Sequence, residues 1–138
     1  IEPLGFDLDD KHVKRAGFDY WEHVKLVKHA SLPDFLATLT DKDQLYLVSK
    51  FANMDYTQPN YMQMQGDQYF LFGKETTGLP EVFMRQNPEK AIRIPQNDTH
   101  IRSLNLSNTV AIVLFEALRQ QHFPNLDTIH NYEQDKLK

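Results

Sequence analysis

The stretch RSLNLSNTVAIVLFEALRQ, residues 102–120, joins a cluster of small polar side chains to six consecutive apolar ones. Asn105 or Ser103 can cap a helix here, because Asn and Ser side chains accept hydrogen bonds from the free N–H groups of a first turn. Capping explains only part of the cluster. Arg102 is poorly placed for the helix macrodipole, which favours anions at this end. Its guanidinium therefore indicates a phosphate or carboxylate partner.

The helix that follows is predicted to run from about Asn105 to His122. Its segment from Val110 to Phe115 is apolar on every face. Such a helix is either buried on all sides or lies between the core and another subunit. A monomer of this size rarely buries a helix so fully, so the stretch predicts an oligomer.

The composition bounds the class of protein. A chain of 138 residues with 41% hydrophobic and 25% charged residues predicts a single globular domain over residues 1–138. No apolar run is long enough for a membrane span. The absence of cysteine excludes disulfides and thiolate chemistry and fits a reducing cytoplasm, where we expect the protein. The net charge of -4 excludes nucleic-acid binding by overall charge, so a polyanion would need a local basic patch.

Short apolar runs alternate with helix signals along the chain, which predicts an α/β fold with a mainly parallel sheet flanked by helices. Residues 51–67 are predicted as a loop with one edge strand, and residues 125–138 as a polar tail. Strands are predicted within 19–30, 44–50, 68–73 and 91–95, and helices at about 9–16, after Ser31 through 39, from near Pro80, and at the end.

Three strand exits, the segments that directly follow the carboxyl ends of predicted strands, consist of small or polar residues. They are Ser49, GKETTGLP (73–80) and PQNDTHIRSLNLSN (95–108). Because ligands bind at the carboxyl ends of parallel strands, these exits could together form one pocket. Gly73 and Gly78 would let the backbone approach a ligand or adopt positive φ, with Glu75 between them. The alternative is an ordinary strand-to-helix connection with Glu75 in solvent. No phosphate-binding glycine motif is present.

Other candidate sites are weaker. The six histidines show no metal-binding spacing, so no metal is expected. The acidic run from Asp7 to Asp10 is typical of a helix entrance. Basic and aromatic residues interleave from Lys11 to Lys28, which could bind phosphate and stack a base. A solvated helix face with buried aromatic rings explains that pattern equally well.

Two of the exits carry a resemblance to a known family. LFGKETTGLP (71–80) followed by IRIPQNDTHIRSLNLSNTVAIVLFEALRQ (92–120) closely resembles the two C-terminal motifs of the SPOUT class of RNA methyltransferases. The opening segment IEPLGFDLDDKHVKRAGFDYWEHV (1–24) is similar to the branch that methylates the wobble 2′-hydroxyl, the tRNA (cytidine(34)-2′-O)-methyltransferases. The resemblance covers Ile1 to about Pro124.

The resemblance implies a C-terminal deep trefoil knot, which is one of the few exceptions to the rule that chains are unknotted. The knot would form the S-adenosylmethionine pocket, tRNA would be the substrate, and the last helix would pair two subunits as a homodimer. Cofactor-binding residues would be Val48, Gly73, Ile94 and Ser103, with Leu47 or Ser49 as alternatives to Val48. Catalytic residues would be Glu75, Ser103 and Asn105. Arg102 would contact substrate phosphate, with Lys11, Lys14 and Arg15 as weaker candidates.

The resemblance also assigns the proposed general base to an arginine in an N-terminal Asn-rich motif, which these 138 residues do not contain. We therefore expect a strand and a helix of roughly thirty residues before Ile1, by the size of a βαβ unit. Without them we expect weak catalysis or none. The alternative function is a non-catalytic dimer of the same fold that binds S-adenosylmethionine or RNA.

Overall fold

The computed structural model describes residues 1–4, 23–62, 65–100, 103–130 and 132–133. The chain divides into two compact units, residues 1–41 and residues 42–138, and each is described by itself. The prediction of a single domain over the whole chain stays a prediction.

The first unit contains one α-helix among its described residues, α1 (Leu32–Leu36). Ser31 caps it, as predicted, because its Oγ accepts a hydrogen bond from the Asp34 N–H at 3.2 Å. Phe35 is buried, and its ring makes an edge-to-face contact with His29 at 5.3 Å between centroids. The helix ends at Leu36, three residues before the predicted end.

The strand predicted within residues 19–30 is wrong over its described part, because residues 23–30 form no strand. Val24, Leu26 and Val27, which carried the strand pattern, are about half exposed. The described part of this unit offers no strand to pair with, and an apolar pattern without a pairing partner does not form a sheet. The helix predicted at residues 9–16 lies outside the described residues.

The second unit is built on a four-stranded sheet with all pairs parallel. Its strands are β1 (Gln44–Val48), β2 (Met54–Asp55), β3 (Gln68–Phe72) and β4 (Ala91–Arg93), in the order β2-β4-β1-β3. The three longer strands lie where the sequence predicts them, and β2 is the edge strand expected within residues 51–67. The parallel pairing places the carboxyl ends of all four strands at the same edge of the sheet.

Two helices accompany this sheet: α2 (Glu81–Gln86), which starts directly after Pro80, and α3 (Leu106–Gln120). A 3-10 turn (Pro88–Lys90) leads into β4. The fully buried apolar side chains of the core include Leu47, Ile92 and Val113, one from each of β1, β4 and α3. Within the described residues, no helix is long and apolar enough to cross a membrane.

Of the two alternatives for the last helix, burial on all sides does not hold for the described residues of the chain by itself. Val113 is fully buried and Ala117 is nearly so, but Leu114 is 44% and Phe115 56% exposed. Within the described part of the chain, only one face of this helix is covered. The alternative reading, burial of the other face by a second subunit, stays a prediction. The described residues of the polar tail, 125–130 and 132–133, contain no helix or strand.

Candidate functional site

A cavity of about 600 Å³ lies at the carboxyl ends of β1, β3 and β4. Its walls come from the three exits that the sequence singled out, and its volume is in the range of small-molecule sites, roughly 300–1,000 Å³. Every described residue that the sequence assigned to the site lines this cavity: Val48, Gly73, Glu75, Ile94, Ser103 and Asn105. Of the two alternatives to Val48, Ser49 also lines the cavity, whereas Leu47 is fully buried in the core.

The loop after β3 closes back on itself through two glycines. The Lys74 N–H donates to the Gly78 carbonyl at 3.3 Å, and the Gly78 N–H donates to the Lys74 carbonyl at 2.8 Å. A Cβ on Gly73 would lie 2.2 Å from the Gly78 carbonyl carbon, so only glycine fits there. Gly78 has φ +70°, a conformation that also favours glycine. Both glycines are therefore needed for the loop shape.

Glu75 lies in this closed loop, exposed and facing the cavity wall. Its carboxylate makes no hydrogen bond or ion pair to any residue that the structure describes. The closed turn explains both glycines by itself, so the position of Glu75 at the cavity is what distinguishes this loop from an ordinary strand-to-helix connection. A carboxylate held here can accept a hydrogen bond from a ligand.

Asn105 is the N-cap of α3. Its Oδ1 accepts hydrogen bonds from the Asn108 N–H at 3.2 Å and from the Ser107 hydroxyl, and its carbonyl accepts from the Thr109 N–H at 3.0 Å. The cap uses the oxygen of the amide only. The amide nitrogen has no partner among the residues that the structure describes, so it can donate to a ligand in the cavity.

The exit of β1 brings an aromatic residue that the sequence analysis missed. Phe51 lines the cavity and is 76% exposed, and the Lys50 ammonium lies 5.2 Å from the centre of its ring. The Ser49 N–H donates to the Ile92 carbonyl at 2.9 Å, which ties this exit to β4. The sequence feature that could have indicated Phe51 is an aromatic residue two positions after Ser49, where a predicted strand ends.

An ion pair lies on the strand next to this exit. Arg93 donates to the Asp98 carboxylate at 2.9 Å, and Gln96 donates to it at 3.1 Å. The hydrogen bond from Arg93 is the main reason why the pKa of Asp98 is lowered, and the positive charge of Lys50 contributes to the same effect. The cations of Arg93 and Lys50 and the carboxylate of Asp98 therefore lie close enough to interact beside the exit of β1.

The remaining candidates for substrate contact, Arg102, Lys11, Lys14 and Arg15, lie outside the described residues. Across the described ranges, no group of three or more His, Cys, Asp or Glu residues is arranged to hold a metal ion. The expectation of no metal stays a prediction.

The model of the SpoU rRNA Methylase family matches residues 1–115, most of the chain and all three strand exits. The chain belongs to the SpoU rRNA methylase family. The resemblance to this class of RNA methyltransferases, which rests on residues 71–80 and 92–120 and, for the branch, on residues 1–24, is thereby confirmed.

Three relatives of this SpoU family member are informative. A Lactococcus lactis subsp. cremoris (strain MG1363) protein, named as a candidate tRNA (cytidine(34)-2′-O)-methyltransferase, is 54% identical over 138 residues, all of this chain and 82% of the relative. A solved structure from work on the 2-OH methylation of C/U34 on tRNA is 36% identical, with a TM-score of 0.75 over 88% of this chain and 72% of its own. An AdoMet-bound rRNA methyltransferase from Sinorhizobium meliloti is 31% identical, with a TM-score of 0.54 over 65% of this chain and 33% of its own.

The cavity of this family member fits a nucleoside cofactor by its chemistry. The loop at Gly73 brings main chain to the wall, and Val48, Ile94 and Leu104 add apolar side chains that suit a flat ring. Ser103 and Asn105 add a hydroxyl and an amide at the start of α3. The lining therefore offers apolar and polar surface in similar amounts, which suits a cofactor that carries both a flat ring and hydrogen-bonding groups.

Proposed function

We propose that this protein transfers a methyl group from S-adenosylmethionine to the 2′-hydroxyl of nucleotide 34, a cytidine or uridine, in the anticodon loop of tRNA. The observation that carries the proposal is the meeting of six residues, assigned to that chemistry from three separate segments, in one cavity. The relatives support it, because one is named for this activity and another comes from work on C/U34 methylation. Such an enzyme works where tRNA is processed, so we place the protein in the cytoplasm.

S-adenosylmethionine would be held by Val48, Gly73, Ile94 and Ser103 and would supply a methyl group already activated by its sulfonium. The chain's own residues then have to position the 2′-oxygen, because holding two groups at near-attack distance supplies much of the rate. The Asn105 amide nitrogen can donate to a ligand oxygen from the start of α3. The Glu75 carboxylate can accept a hydrogen bond from a hydroxyl or an ammonium group. These two side chains, with Ser103, are our proposed catalytic residues.

The proposal is tested with full-length protein, labelled S-adenosylmethionine and an unmodified anticodon stem-loop carrying cytidine at position 34. A matched stem-loop with 2′-deoxycytidine at that position removes only the accepting oxygen. We expect label on the first RNA and none on the second. Equal labelling of both would show that the 2′-oxygen of nucleotide 34 is not the acceptor.

The same assay, combined with a binding measurement, distinguishes methyl transfer from the alternative function without catalysis. Calorimetry with S-adenosylhomocysteine reports cofactor binding without transfer. Binding without label on any RNA would indicate a non-catalytic cofactor-binding protein of the same fold. Absence of cofactor binding by the full-length protein would contradict methyl transfer and the cofactor-binding alternative, and would leave RNA binding without catalysis as the remaining function.

We further propose that α3 pairs two copies of the chain, as the resemblance implies, and that the C-terminal segments form the trefoil knot. The exposed residues Ala111, Leu114 and Phe115 share one face of α3, opposite the buried Val113 and Ala117. An apolar face of this kind is typical of homodimer interfaces.

The dimer is tested by analytical ultracentrifugation of Leu114→Asp. We expect the parent protein to sediment as a dimer and the variant as a monomer, because the substitution buries a charge in an apolar interface. Val82→Asp is the control, because Val82 is also an exposed apolar residue, at 68%, and belongs to a different helix, α2. A parent protein that sediments as a monomer would rule out the dimer.

A further inference from the structure

Phe51 is an exposed aromatic ring at the mouth of the cavity. Single exposed apolar side chains are normal on a protein surface and need no function. Phe51 differs because it borders the cavity and because a closed turn holds its backbone. The Phe51 N–H donates to the Ser49 hydroxyl at 3.3 Å, and the Ala52 N–H donates to the Ser49 carbonyl at 3.2 Å. Ala52, the next residue, is buried and anchors the turn.

The ring has a cation beside it. The Lys50 ammonium lies over the Phe51 ring at 5.2 Å from its centre, within the range of a cation–π interaction. Phe51 as a whole nevertheless remains 76% exposed, so it still offers area for a ligand. An aromatic face beside a positive charge complements one nucleotide of a single strand, since the base stacks and the phosphate meets the charge.

An aromatic ring beside a positive charge is typical of the surfaces with which proteins bind RNA loops. Loop nucleotides can leave their stack, and proteins hold them on aromatic side chains. The overall charge of this protein is -4, which makes a local contact of this type more important than long-range attraction. The planar ring of a cofactor is the competing occupant, because it would also lie in this cavity.

We propose that Phe51 is a stacking platform for a nucleobase of the substrate RNA loop, and that Lys50 contacts the adjoining phosphate. The inference rests on the proposed function for the identity of the RNA. It adds a substrate-binding residue pair at the mouth of the cavity, on the exit of β1. The platform lies outside the set of residues that the resemblance assigned to the cofactor.

The test compares Phe51→Ala and Phe51→Tyr in the full-length protein. The readouts are the KM for the cytidine-34 stem-loop, the Kd of the 2′-deoxycytidine stem-loop by fluorescence anisotropy, and the Kd of S-adenosylhomocysteine by calorimetry. We expect Phe51→Ala to raise both RNA constants about tenfold, the lower range for loss of one base stack. The cofactor Kd should stay within about twofold, and Phe51→Tyr should restore RNA binding.

Tyr132→Ala is the matched control, because Tyr132 is an aromatic residue with 75% exposure that does not line the cavity. It should leave all three constants unchanged. Lys50→Gln should weaken RNA binding and flatten its salt dependence, since it removes one phosphate contact.

The outcomes are distinct. Weaker cofactor binding by Phe51→Ala would make Phe51 a wall of the cofactor site and would overturn the inference. Unchanged RNA constants would overturn it as well. If the parent protein transfers no methyl group, the proposed function fails. The anisotropy measurement then tests the stacking platform separately. Loss of RNA binding by Phe51→Ala supports the platform. Unchanged RNA binding by that variant, or no RNA binding by the parent protein, overturns it.

Discussion

Asn105 combines a structural and a proposed catalytic task in one amide. Its oxygen caps α3 and its nitrogen is available to a ligand. Asn105→Ala removes both atoms and should lower the free energy of unfolding by about 1 kcal/mol, an ordinary capping effect. Asn105→Asp keeps the cap, because Asp caps as well as Asn, but replaces the donor by an acceptor. We expect Asn105→Asp to unfold near the urea midpoint of the parent protein.

The two variants should agree in the transfer assay although they differ in stability. Both should lower methyl transfer to the stem-loop by at least about tenfold, which corresponds to ~1.4 kcal/mol on the barrier. If Asn105→Asp transfers as fast as the parent protein, the amide nitrogen has no part in catalysis and Asn105 is only a cap.

Glu75 offers a cleaner separation, since its carboxylate has no partner within the described parts of the chain. Glu75→Gln should change the free energy of unfolding by no more than about 0.5 kcal/mol, as expected for an exposed substitution. It should lower kcat about tenfold or more, because the negative charge at the cavity is lost. Glu89→Gln, exposed and away from the cavity, is the control. Equal kcat values for the two variants would remove Glu75 from the catalytic set.

At the scale of elements, one side chain connects α3 to the loop that precedes β3. The Gln120 Oε1 accepts a hydrogen bond from the Tyr61 N–H at 3.0 Å, and its Nε2 donates to the Pro59 carbonyl at 3.2 Å. Tyr61 is fully buried, and its hydroxyl donates to the Tyr56 carbonyl at 2.6 Å. Gln120 therefore satisfies backbone groups that water reaches poorly.

Gln120→Ala should lower the free energy of unfolding by about 2 kcal/mol, because it leaves backbone groups of this loop without partners. Urea denaturation measures the change. Gln86→Ala is the matched control, because Gln86 is exposed in α2 and its side chain makes no hydrogen bond to the described residues; it should change stability by less than about 0.5 kcal/mol. Similar losses in the two variants would show that this connection adds nothing.

These elements show what a sequence pattern can and cannot predict. The strands β1, β3 and β4 were predicted because each is a short apolar run between polar or glycine-containing segments. Residues 23–30 carry a similar pattern and form no strand, because pairing depends on a neighbour that the local sequence does not specify. The hydrogen bond between Gln120 and Tyr61 spans 59 positions, so no local pattern could indicate it.

At the scale of the molecule, the site was predictable because of topology. Parallel strands bring their carboxyl ends to one edge, so polar residues after three separate strands were expected to meet. Glu75, Ser103 and Asn105 do line one cavity. The role proposed for Phe51 was not predicted, because it depends on the exposure of this residue and on where the turn places it. Neither property follows from the residue type.

The stability of the whole chain in acid should depend on one buried carboxylate. Glu116 is only 9% exposed on α3, and it accepts hydrogen bonds from Arg119 at 2.8 and 2.9 Å and from Gln120 at 2.9 Å. The bonds from Arg119 are the main reason why its pKa is below its ordinary value of 4.5, whereas burial acts in the opposite direction. Folding therefore favours the ionised form.

A carboxylate whose pKa is lowered by folding stabilises the native state at pH values above its unfolded pKa. That stabilisation is lost as the pH falls from about 5 through the folded pKa, because protonation breaks the pair with Arg119. Tyr61 does not contribute to this change, since burial raises its pKa and it stays protonated throughout. Asp98 contributes in the same direction, because Arg93 lowers its pKa as well.

Glu116→Gln should therefore be less stable than the parent protein at pH 7 and should lose less stability on acidification. Urea midpoints at pH 7, 5, 4 and 3 measure both effects. Asp98→Asn is the control for the exposed pair and should leave most of the acid dependence in place, because water screens its interaction with Arg93. If Glu116→Gln follows the same pH dependence as the parent protein, the ionised carboxylate on α3 is not what couples stability to pH.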